Sequence, residues 1–308
     1  MRFKSLLVLL APLALAGCST GDYRLFHPLN QIAGVEWWST LFEVGIMSII
    51  IVPVTVLIAI FIVRYRKGAN AAYDPSFTHS LVLEILVWGV PLIIVAICGV
   101  VSIRTIHEVD PYAPGLFAKS DPPLNIDVIT TDWQWLFIYP DQHVASIDEL
   151  VVPQGRVVHL RLTSTSVVND FFIPAIAPMI DVMPGMRTED TFDAATLGST
   201  TGFSADFSGA GFSWMQFATR IVPQADFDAW VSQAAASPNQ LSYDAFTKFA
   251  QPTLNEGAKT SYFSAPDPQL FDKVVFAAQS GVVYPVSDEL THSVASLETP
   301  ITGTAATK

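Results

Sequence analysis

Residues 133–140 read Trp-Gln-Trp-Leu-Phe-Ile-Tyr-Pro, and this stretch decides the fold of the C-terminal two thirds of the chain. An aromatic and aliphatic run that ends at a proline is typical of a β-strand. Three further segments have the same character, and prolines and glycines separate them: residues 125–130, 149–152 and 157–163. Short strands with such turns predict an all-β domain, a β-sandwich or a small barrel, over residues 104–222. We expect Trp133 and Trp135 to pack in its core.

The pattern changes on the C-terminal side of this domain. Residues 198–211, rich in Ser, Gly and Thr, are expected to form a long loop between the last strands. After Pro223 the apolar residues adopt helical spacing, which predicts a small helical extension over residues 223–279. Residues 280–308 are rich in Ser, Thr and Ala, a composition that favours a disordered tail.

The N-terminal third contains two long apolar runs, residues 41–63 and 81–103. Each has 23 residues, so a helix would rise about 35 Å, enough to cross a bilayer core of roughly 30 Å with some tilt. The runs therefore predict a two-helix transmembrane hairpin with residues 64–80 as its loop.

Charge sets the orientation of this hairpin. Arg64, Arg66 and Lys67 follow the first run directly, so the positive-inside rule places the loop in the cytoplasm. Residues 18–40 and the β domain then lie outside, which in a Gram-negative cell means on the periplasmic side of the inner membrane.

The first 17 residues have the features of a signal peptide. Arg2 and Lys4 precede a short apolar run that ends in small residues, too short to span a membrane. The sequence around Cys18 resembles the lipoprotein signal box, which implies cleavage before Cys18 and its acylation, for example with palmitate. An ordinary Cys beside an uncleaved helix is the alternative.

Composition excludes several protein classes. The chain has 308 residues, a net charge of −12, 51% hydrophobic and only 14% charged residues, whereas soluble domains carry roughly 25% charged residues. The acidic excess argues against a nucleic-acid binder. Two cysteines cannot build a disulfide framework or a zinc-finger array.

Glu84 is the single charged residue of the second apolar run. An ionisable group inside a spanning segment is a functional candidate by default. Its position near the cytoplasmic end would also let the side chain reach water at little cost. Position alone therefore leaves open whether Glu84 is a functional group or an ordinary solvated residue.

Two tracts of the β domain carry a resemblance, residues 166–174 and residues 204–215. A two-helix anchor followed by a β-sandwich with these tracts resembles subunit II of the haem–copper respiratory oxidases. In members that oxidise cytochrome c, the first tract has a His and the second reads Cys-x-Glu-x-Cys-Gly-x-x-His-x-x-Met. Those residues hold a binuclear copper centre, for which thiolate, imidazole and thioether are suitable ligands.

Position by position, the resemblance places the family's copper-site residues on six positions of this chain. The first His falls on Asn169, the two Cys on Ser204 and Ser208, the second His on Phe212, the Glu on Asp206 and the Met on Met215. The spacing and Gly209 are kept, but four of the five side-chain ligands are absent. The resemblance therefore predicts that this domain binds no metal.

An empty cupredoxin-like domain behind a lipidated Cys resembles subunit II of the cytochrome bo-type ubiquinol oxidases. That family implies a non-catalytic subunit without cofactors, with the haems, copper and ubiquinol in subunit I. Its partners would be subunit I, the smaller oxidase subunits and membrane lipid, with neither cytochrome c nor nucleic acid. The resemblance also extends to the second span, where it assigns Glu84 to the entry of a proton pathway into subunit I.

Two alternatives stay open at this stage. One is a cytochrome c oxidase subunit II with an atypical electron port, which copper analysis would identify. The other is a free-standing envelope lipoprotein that acts as a scaffold, which would purify without a haem protein.

Overall fold

The computed structural model describes residues 24–69, 79–110, 122–254 and 260–284. The predicted signal peptide, Cys18 and residues 285–308 of the predicted tail lie outside these ranges. The chain divides into two compact units, residues 34–116 and residues 1–33 with 117–308.

The first unit is helical. Helix α1 spans Gln31–Arg64 and helix α2 spans Leu81–Val109, and both are long and apolar enough to cross a membrane. At 1.5 Å per residue they rise about 51 Å and 44 Å, so each extends beyond the apolar run that identified it. A hydrogen bond of 3.4 Å joins the hydroxyls of Ser39 and Thr105. Most apolar side chains of both helices are exposed, which suits segments that contact lipid or other subunits.

The second unit is built on eleven strands in the described ranges. They are β1 (Leu124–Thr130), β2 (Trp135–Tyr139), β3 (Val144–Ile147), β4 (Glu149–Pro153), β5 (Val157–Ser164), β6 (Asn169–Ile173), β7 (Ala177–Val182), β8 (Thr188–Asp193), β9 (Gly198–Ser204), β10 (Gln216–Val222) and β11 (Ser261–Ser264). One sheet has the order β11-β3-β2-β1-β5-β8 and the other the order β4-β10-β9-β6-β7. The predicted membrane-anchored β-sandwich is confirmed.

Aromatic side chains fill the space between the sheets. The rings of Trp135 and Phe217 lie 5.1 Å apart, those of Trp135 and Phe171 5.5 Å, and those of Phe171 and Phe217 5.4 Å in a stacked arrangement. All three side chains are fully buried. The expectation that Trp135 is a core residue is confirmed, and edge or offset contacts of this kind add to the free energy gained from burial.

Strand β2 is buried on both faces, which explains its unbroken apolar sequence. Trp135 and Phe137 face the other sheet, whereas Leu136 and Ile138 join a second hydrophobic cluster with residues of the C-terminal extension. The extension comprises α3 (Gln224–Ala235), α4 (Tyr243–Phe249), β11 and α5 (Leu270–Gln279). It is helical as predicted, but it also adds β11 to the edge of the first sheet beside β3.

The prediction of a loop over residues 198–211 is wrong for its first half. Residues 198–204 form β9, which pairs with both β6 and β10. Two neighbouring strands supply hydrogen-bond partners for its backbone, and this outweighs the weak strand preference of Gly and Ser. Packing requires glycine at position 202, because a Cβ there would lie 2.1 Å from the Phe217 ring.

Asn30 attaches the residues that precede the first helix to the sandwich. Its side-chain Nδ2 donates to the carbonyls of Ile176 at 2.6 Å and Asp193 at 3.2 Å. Its Oδ1 accepts from the backbone N–H of Ala33 at 2.9 Å, which caps the start of α1. One buried amide therefore satisfies three backbone groups.

Candidate functional site

The sandwich topology brings the two resemblance-bearing tracts together. Asn169 begins β6, Ser204 ends β9, and Met215 immediately precedes β10. Strands β6 and β9 are neighbours, with Phe171 opposite Ser204, and the Ser204 N–H donates to the Met215 carbonyl at 3.4 Å. Three of the six predicted positions thus lie at one end of the second sheet.

Asn169 and Ser204 form a buried hydrogen-bonded pair. The Ser204 hydroxyl donates to Asn169 Oδ1 at 3.3 Å and accepts from the Asp170 N–H at 3.2 Å. Asn169 Nδ2 donates to Thr130 Oγ1 at 3.0 Å. The polar atoms of both side chains are therefore hydrogen-bonded within the domain, as is usual for buried polar groups.

The other three predicted positions, Asp206, Ser208 and Phe212, lie on the loop that ends at Met215. Asp206 is exposed, and Phe212 is half-buried with its ring 5.6 Å from that of Phe207. The Ser208 hydroxyl is buried and has no hydrogen-bond partner among the described residues. Met215 is fully buried.

The residues present do not fit a binuclear copper centre. Such a centre needs bridging thiolates and imidazoles, and the matching positions carry two hydroxyls, an amide and a phenyl ring. Met215 alone keeps a side chain that could ligate copper.

Trp133 lies under this loop, against Gly209 and Gly211. Its Nε1 donates to the Ser208 carbonyl at 3.0 Å. A Cβ on Gly209 would lie 2.6 Å from the indole and one on Gly211 2.5 Å, so glycine alone lets the backbone rest on the ring. The expectation that Trp133 is a packed core residue is confirmed, since its side chain is buried, and the structure adds that it supports the loop. The two glycines were the sequence signal for this contact.

Three carboxylates lie near the same end of the second sheet. Asp170 and Asp181 are directly opposite on β6 and β7. Burial, together with the neighbouring carboxylates of Asp181 and Asp206, raises the pKa of Asp170 to about 6. Within the described ranges no three His, Cys, Asp or Glu side chains are grouped so that they could hold a metal ion.

Glu149 forms a second polar centre, which the sequence did not reveal. Its carboxylate, 8% exposed as a residue, accepts from Arg220 Nη2 at 2.9 Å, Trp230 Nε1 at 3.1 Å and the Tyr262 hydroxyl at 2.8 Å. Trp230 is on α3 and Tyr262 on β11, so Glu149 links the C-terminal extension to the sandwich. A cavity of about 280 Å³ lies beside it, and Arg220 and Trp230 are among its lining residues.

Glu84 lies in the first turn of α2 with an exposed side chain. Cys98 is a half-buried free thiol in the same helix. Cys18 and its predicted acylation lie outside the described residues.

Comparison with known proteins finds relatives that share one name, ubiquinol oxidase subunit 2. The family of the COX Aromatic Rich Motif matches residues 235–276, which hold α4, β11 and most of α5. Cytochrome bo(3) ubiquinol oxidase subunit 2 of Pseudomonas putida is 35% identical over 276 residues, covering 89% of this chain and 85% of the relative. Ubiquinol oxidase subunit 2 of Acetobacter aceti is 35% identical over 272 residues, covering 88% and 87%.

Among solved structures, the periplasmic domain of cytochrome oxidase subunit II (CoxB) of Bradyrhizobium japonicum is similar to part of the chain. It is 29% identical with a TM-score of 0.35, and the match covers 38% of this chain and 95% of that domain.

Proposed function

Because this chain belongs to the family of ubiquinol oxidase subunits 2, within the haem–copper oxidases, we propose that it is the non-catalytic subunit II of a proton-pumping ubiquinol:oxygen oxidoreductase. In an aerobic respiratory chain, such a complex passes electrons from ubiquinol to oxygen. The chain would help to assemble the complex and cover the outer face of subunit I, which would hold the haems, the copper and the quinol. The smaller oxidase subunits and membrane lipid would complete its surroundings.

The replacement of the copper ligands is the observation that carries this proposal. Asn169 and Ser204 bond to each other and to neighbouring protein groups, and Ser208 and Phe212 occupy the remaining ligand positions. A domain without thiolates has no route for electrons from cytochrome c through copper, which favours quinol as the electron donor.

Metal analysis of the full-length chain, purified in detergent without its partners, tests whether the domain lacks a copper centre. We expect far less than one copper per chain and no visible absorption from a copper–thiolate centre. Stoichiometric copper would contradict the proposal and favour a cytochrome c oxidase subunit with an atypical electron port.

Co-purification tests the assignment to a complex. We expect the detergent-solubilised chain, expressed from its natural host, to travel with a haem-containing partner and with ubiquinol oxidase activity. A chain that purifies alone would instead be a free-standing envelope lipoprotein.

For Glu84 we propose a role in proton entry from the cytoplasm. Its exposed side chain in the first turn of α2 is free to face a partner subunit, and an acid at this depth can exchange protons with water. Replacing Glu84 by Gln should slow oxidase turnover about tenfold or more, since it removes a proton-transferring group. Haem content should stay normal. The matched control is Glu43→Gln, an exposed acid in α1, which should leave turnover unchanged.

We further propose that Cys18 is acylated and becomes the N-terminus after removal of residues 1–17, with the β domain in the periplasm. Mass spectrometry of the mature chain should find a lipid-bearing N-terminal Cys18. An intact N-terminus at Met1 would contradict this proposal.

A further inference from the structure

We propose that a cavity between the sandwich and helix α3 binds a small zwitterion, a free α-amino acid with an aliphatic side chain. The cavity, which we name the α3–β10 pocket, has a volume of about 280 Å³ and lies where strand β10 leads into α3. The inference does not depend on the proposed function, because this chain alone forms the pocket. Its lining residues include Val151, Arg220 and Val222 of the sheet and Asp226, Ala229 and Trp230 of the helix.

Two opposite charges line the pocket without meeting each other. Arg220 lies on β10 and Asp226 in the first turn of α3, and no ion pair joins them in the part of the chain that the structure describes. The carboxylate of Asp226 is exposed and has no side-chain partner among these residues. A molecule with an anionic and a cationic group can therefore pair with both side chains at once.

The guanidinium of Arg220 has donors left after its contact with Glu149. It carries N–H groups on three nitrogens, and only Nη2 has a partner among the described residues, a Glu149 oxygen at 2.9 Å. Its Nε is buried and has none. Glu149 also accepts from Trp230 and Tyr262, so it does not depend on Arg220 alone. A ligand carboxylate is a suitable second acceptor, because charge-assisted bonds to a guanidinium are short and strong.

The remaining walls are apolar, and the volume sets the size of the ligand. Val151 and Trp230 are buried, Val222 is half-buried, and Ala229 contributes only a methyl group. At roughly 30 Å³ for each water-sized group, a volume of about 280 Å³ suits a molecule of about nine non-hydrogen atoms. Leucine has this size, and its aliphatic side chain would lose contact with water against the apolar walls.

Charge decides between a zwitterion and a simple ion. Glu149 and Asp226 each contribute a negative charge, and Arg220 contributes a positive charge. The two carboxylates would repel a simple anion, whereas a simple cation would leave the guanidinium donors unused. A zwitterion adds no net charge, and each of its ends has an opposite charge to face. Its carboxylate pairs with Arg220 and its ammonium group with Asp226.

Equilibrium dialysis of the full-length chain in detergent tests the ligand class. The probes are radiolabelled L-leucine, isoamylamine, which lacks the carboxylate, and isocaproate, which lacks the ammonium group. We expect saturable binding of one leucine per chain and about tenfold or more weaker binding of each analogue, since each loses a charge-assisted contact. Absence of saturable leucine binding up to about 10 mM would overturn the proposal, as would equal affinities for the three probes.

Asp226→Asn tests the contact with the ammonium group. This variant should bind leucine about tenfold or more weakly than the parent, because the attraction between opposite charges is lost. Asp228→Asn is the matched control. Asp228 is an exposed acid of the same helix outside the pocket lining, and it accepts a hydrogen bond from Gln224 Nε2 at 2.8 Å. The control should bind leucine as the parent does, and equal affinities of the two variants would contradict the assigned contact.

Ala229→Leu tests the location of the ligand. The larger side chain fills the pocket and should abolish leucine binding, since the volume that the ligand needs is lost. Ala225→Leu makes the same change at an exposed position of α3 outside the pocket lining and should retain binding. The unfolding midpoints of both variants show that each is folded. Equal binding by the two, whether retained or lost, would overturn the proposal.

O-phosphoethanolamine distinguishes a free amino acid from a lipid headgroup with the same pair of charges. We expect it to bind more weakly than leucine, because it has no aliphatic side chain for the apolar walls. Tighter binding would overturn the assignment to an amino acid. Since leucine would bridge β10 and α3 in the folded state only, saturating leucine should raise the unfolding midpoint of the parent but not that of Ala229→Leu. An equal rise in both would contradict the pocket as the binding site.

Discussion

The Asp170–Asp181 pair and the Glu149 centre differ in the partners that surround negative charge. Glu149 is buried and has three partners from its own chain: a guanidinium, an indole N–H and a phenol. Asp170 instead faces a second carboxylate, Asp181, and no cation lies in the adjoining sequence. The first arrangement stabilises the domain, whereas the second opposes folding at neutral pH. A carboxylate surrounded by hydrogen-bond donors and a cation therefore stabilises the fold, whereas one that faces a second carboxylate costs stability once both are ionised.

The largest expected effect is at the Glu149 centre. Glu149→Leu leaves Arg220, Trp230 and Tyr262 without their acceptor. Losing these bonds to a carboxylate and leaving the buried Trp230 N–H without a partner costs about 3 kcal/mol, a figure that discounts Arg220 because 41% of its side chain is exposed. Denaturation of the full-length chain in detergent, followed by tryptophan fluorescence, should show a lower unfolding midpoint. Glu189→Leu, which removes an exposed acid, is the control and should change little. Similar behaviour of the two variants would remove the contrast between the regions.

A somewhat smaller effect is expected under the loop. Gly211→Ala would place a Cβ 2.5 Å from the Trp133 ring, and overpacking of this kind costs about 1–3 kcal/mol. The same denaturation assay should show destabilisation. Because the clash is with the indole, adding Trp133→Leu should make the double variant more stable than the two single effects predict together. Strict additivity would mean that the loop does not rest on this ring.

The third prediction concerns pH. The pKa of Asp170 is raised to about 6 in the folded chain from 3.8, so the folded state holds the proton more tightly than the unfolded state. Stability should therefore fall as pH rises from about 4 through 6. Asp170→Asn should flatten this decline and add about 1 kcal/mol at pH 7, a figure reduced for solvent screening around the exposed Asp181. Denaturation midpoints at pH 4.5 and 7 measure it, and Asp181→Asn should act in the same direction. A decline as steep as that of the parent would contradict the mutual repulsion of the two acids.

The smallest effect is expected for an exposed ion pair. Arg187 and Asp272 are 2.8 Å apart with more than half of each side chain exposed, and such pairs contribute about 0–1 kcal/mol. Arg187→Gln should shift the unfolding midpoint barely measurably. A shift close to that of Glu149→Leu would show that burial does not explain the difference between these carboxylates.

Local sequence signals predicted much of the fold. The segments at residues 125–130, 149–152 and 157–163 are strands because prolines and glycines separate apolar runs, a signal that neighbouring residues carry. Strand β9 was missed because its stability comes from two neighbouring strands. The role of Glu149 was missed because it also depends on distant parts of the chain: its partners Trp230 and Tyr262 lie 81 and 113 residues away in sequence.

The candidate site was found through a resemblance in spacing, and only the sheet topology explains why its tracts meet. Asn169 and Ser204 are 35 residues apart and become neighbours because β6 pairs with β9. No periodicity in the sequence predicts that pairing. The position of Trp133 under the loop was also missed, although Gly209 and Gly211 were a signal for it, because an aromatic residue beside a strand packs equally well between two sheets.

Asn30 gives the chain an order of assembly during synthesis. The amide caps the first helix through Ala33 as soon as that turn forms, but the carbonyls of Ile176 and Asp193 lie 146 and 163 residues further along the chain. A ribosome adding about 5–20 residues per second reaches them roughly seven to thirty seconds later. Over that interval the start of the first helix has no attachment to the sandwich. The attachment can therefore close only after strands β6 to β8 have been synthesised.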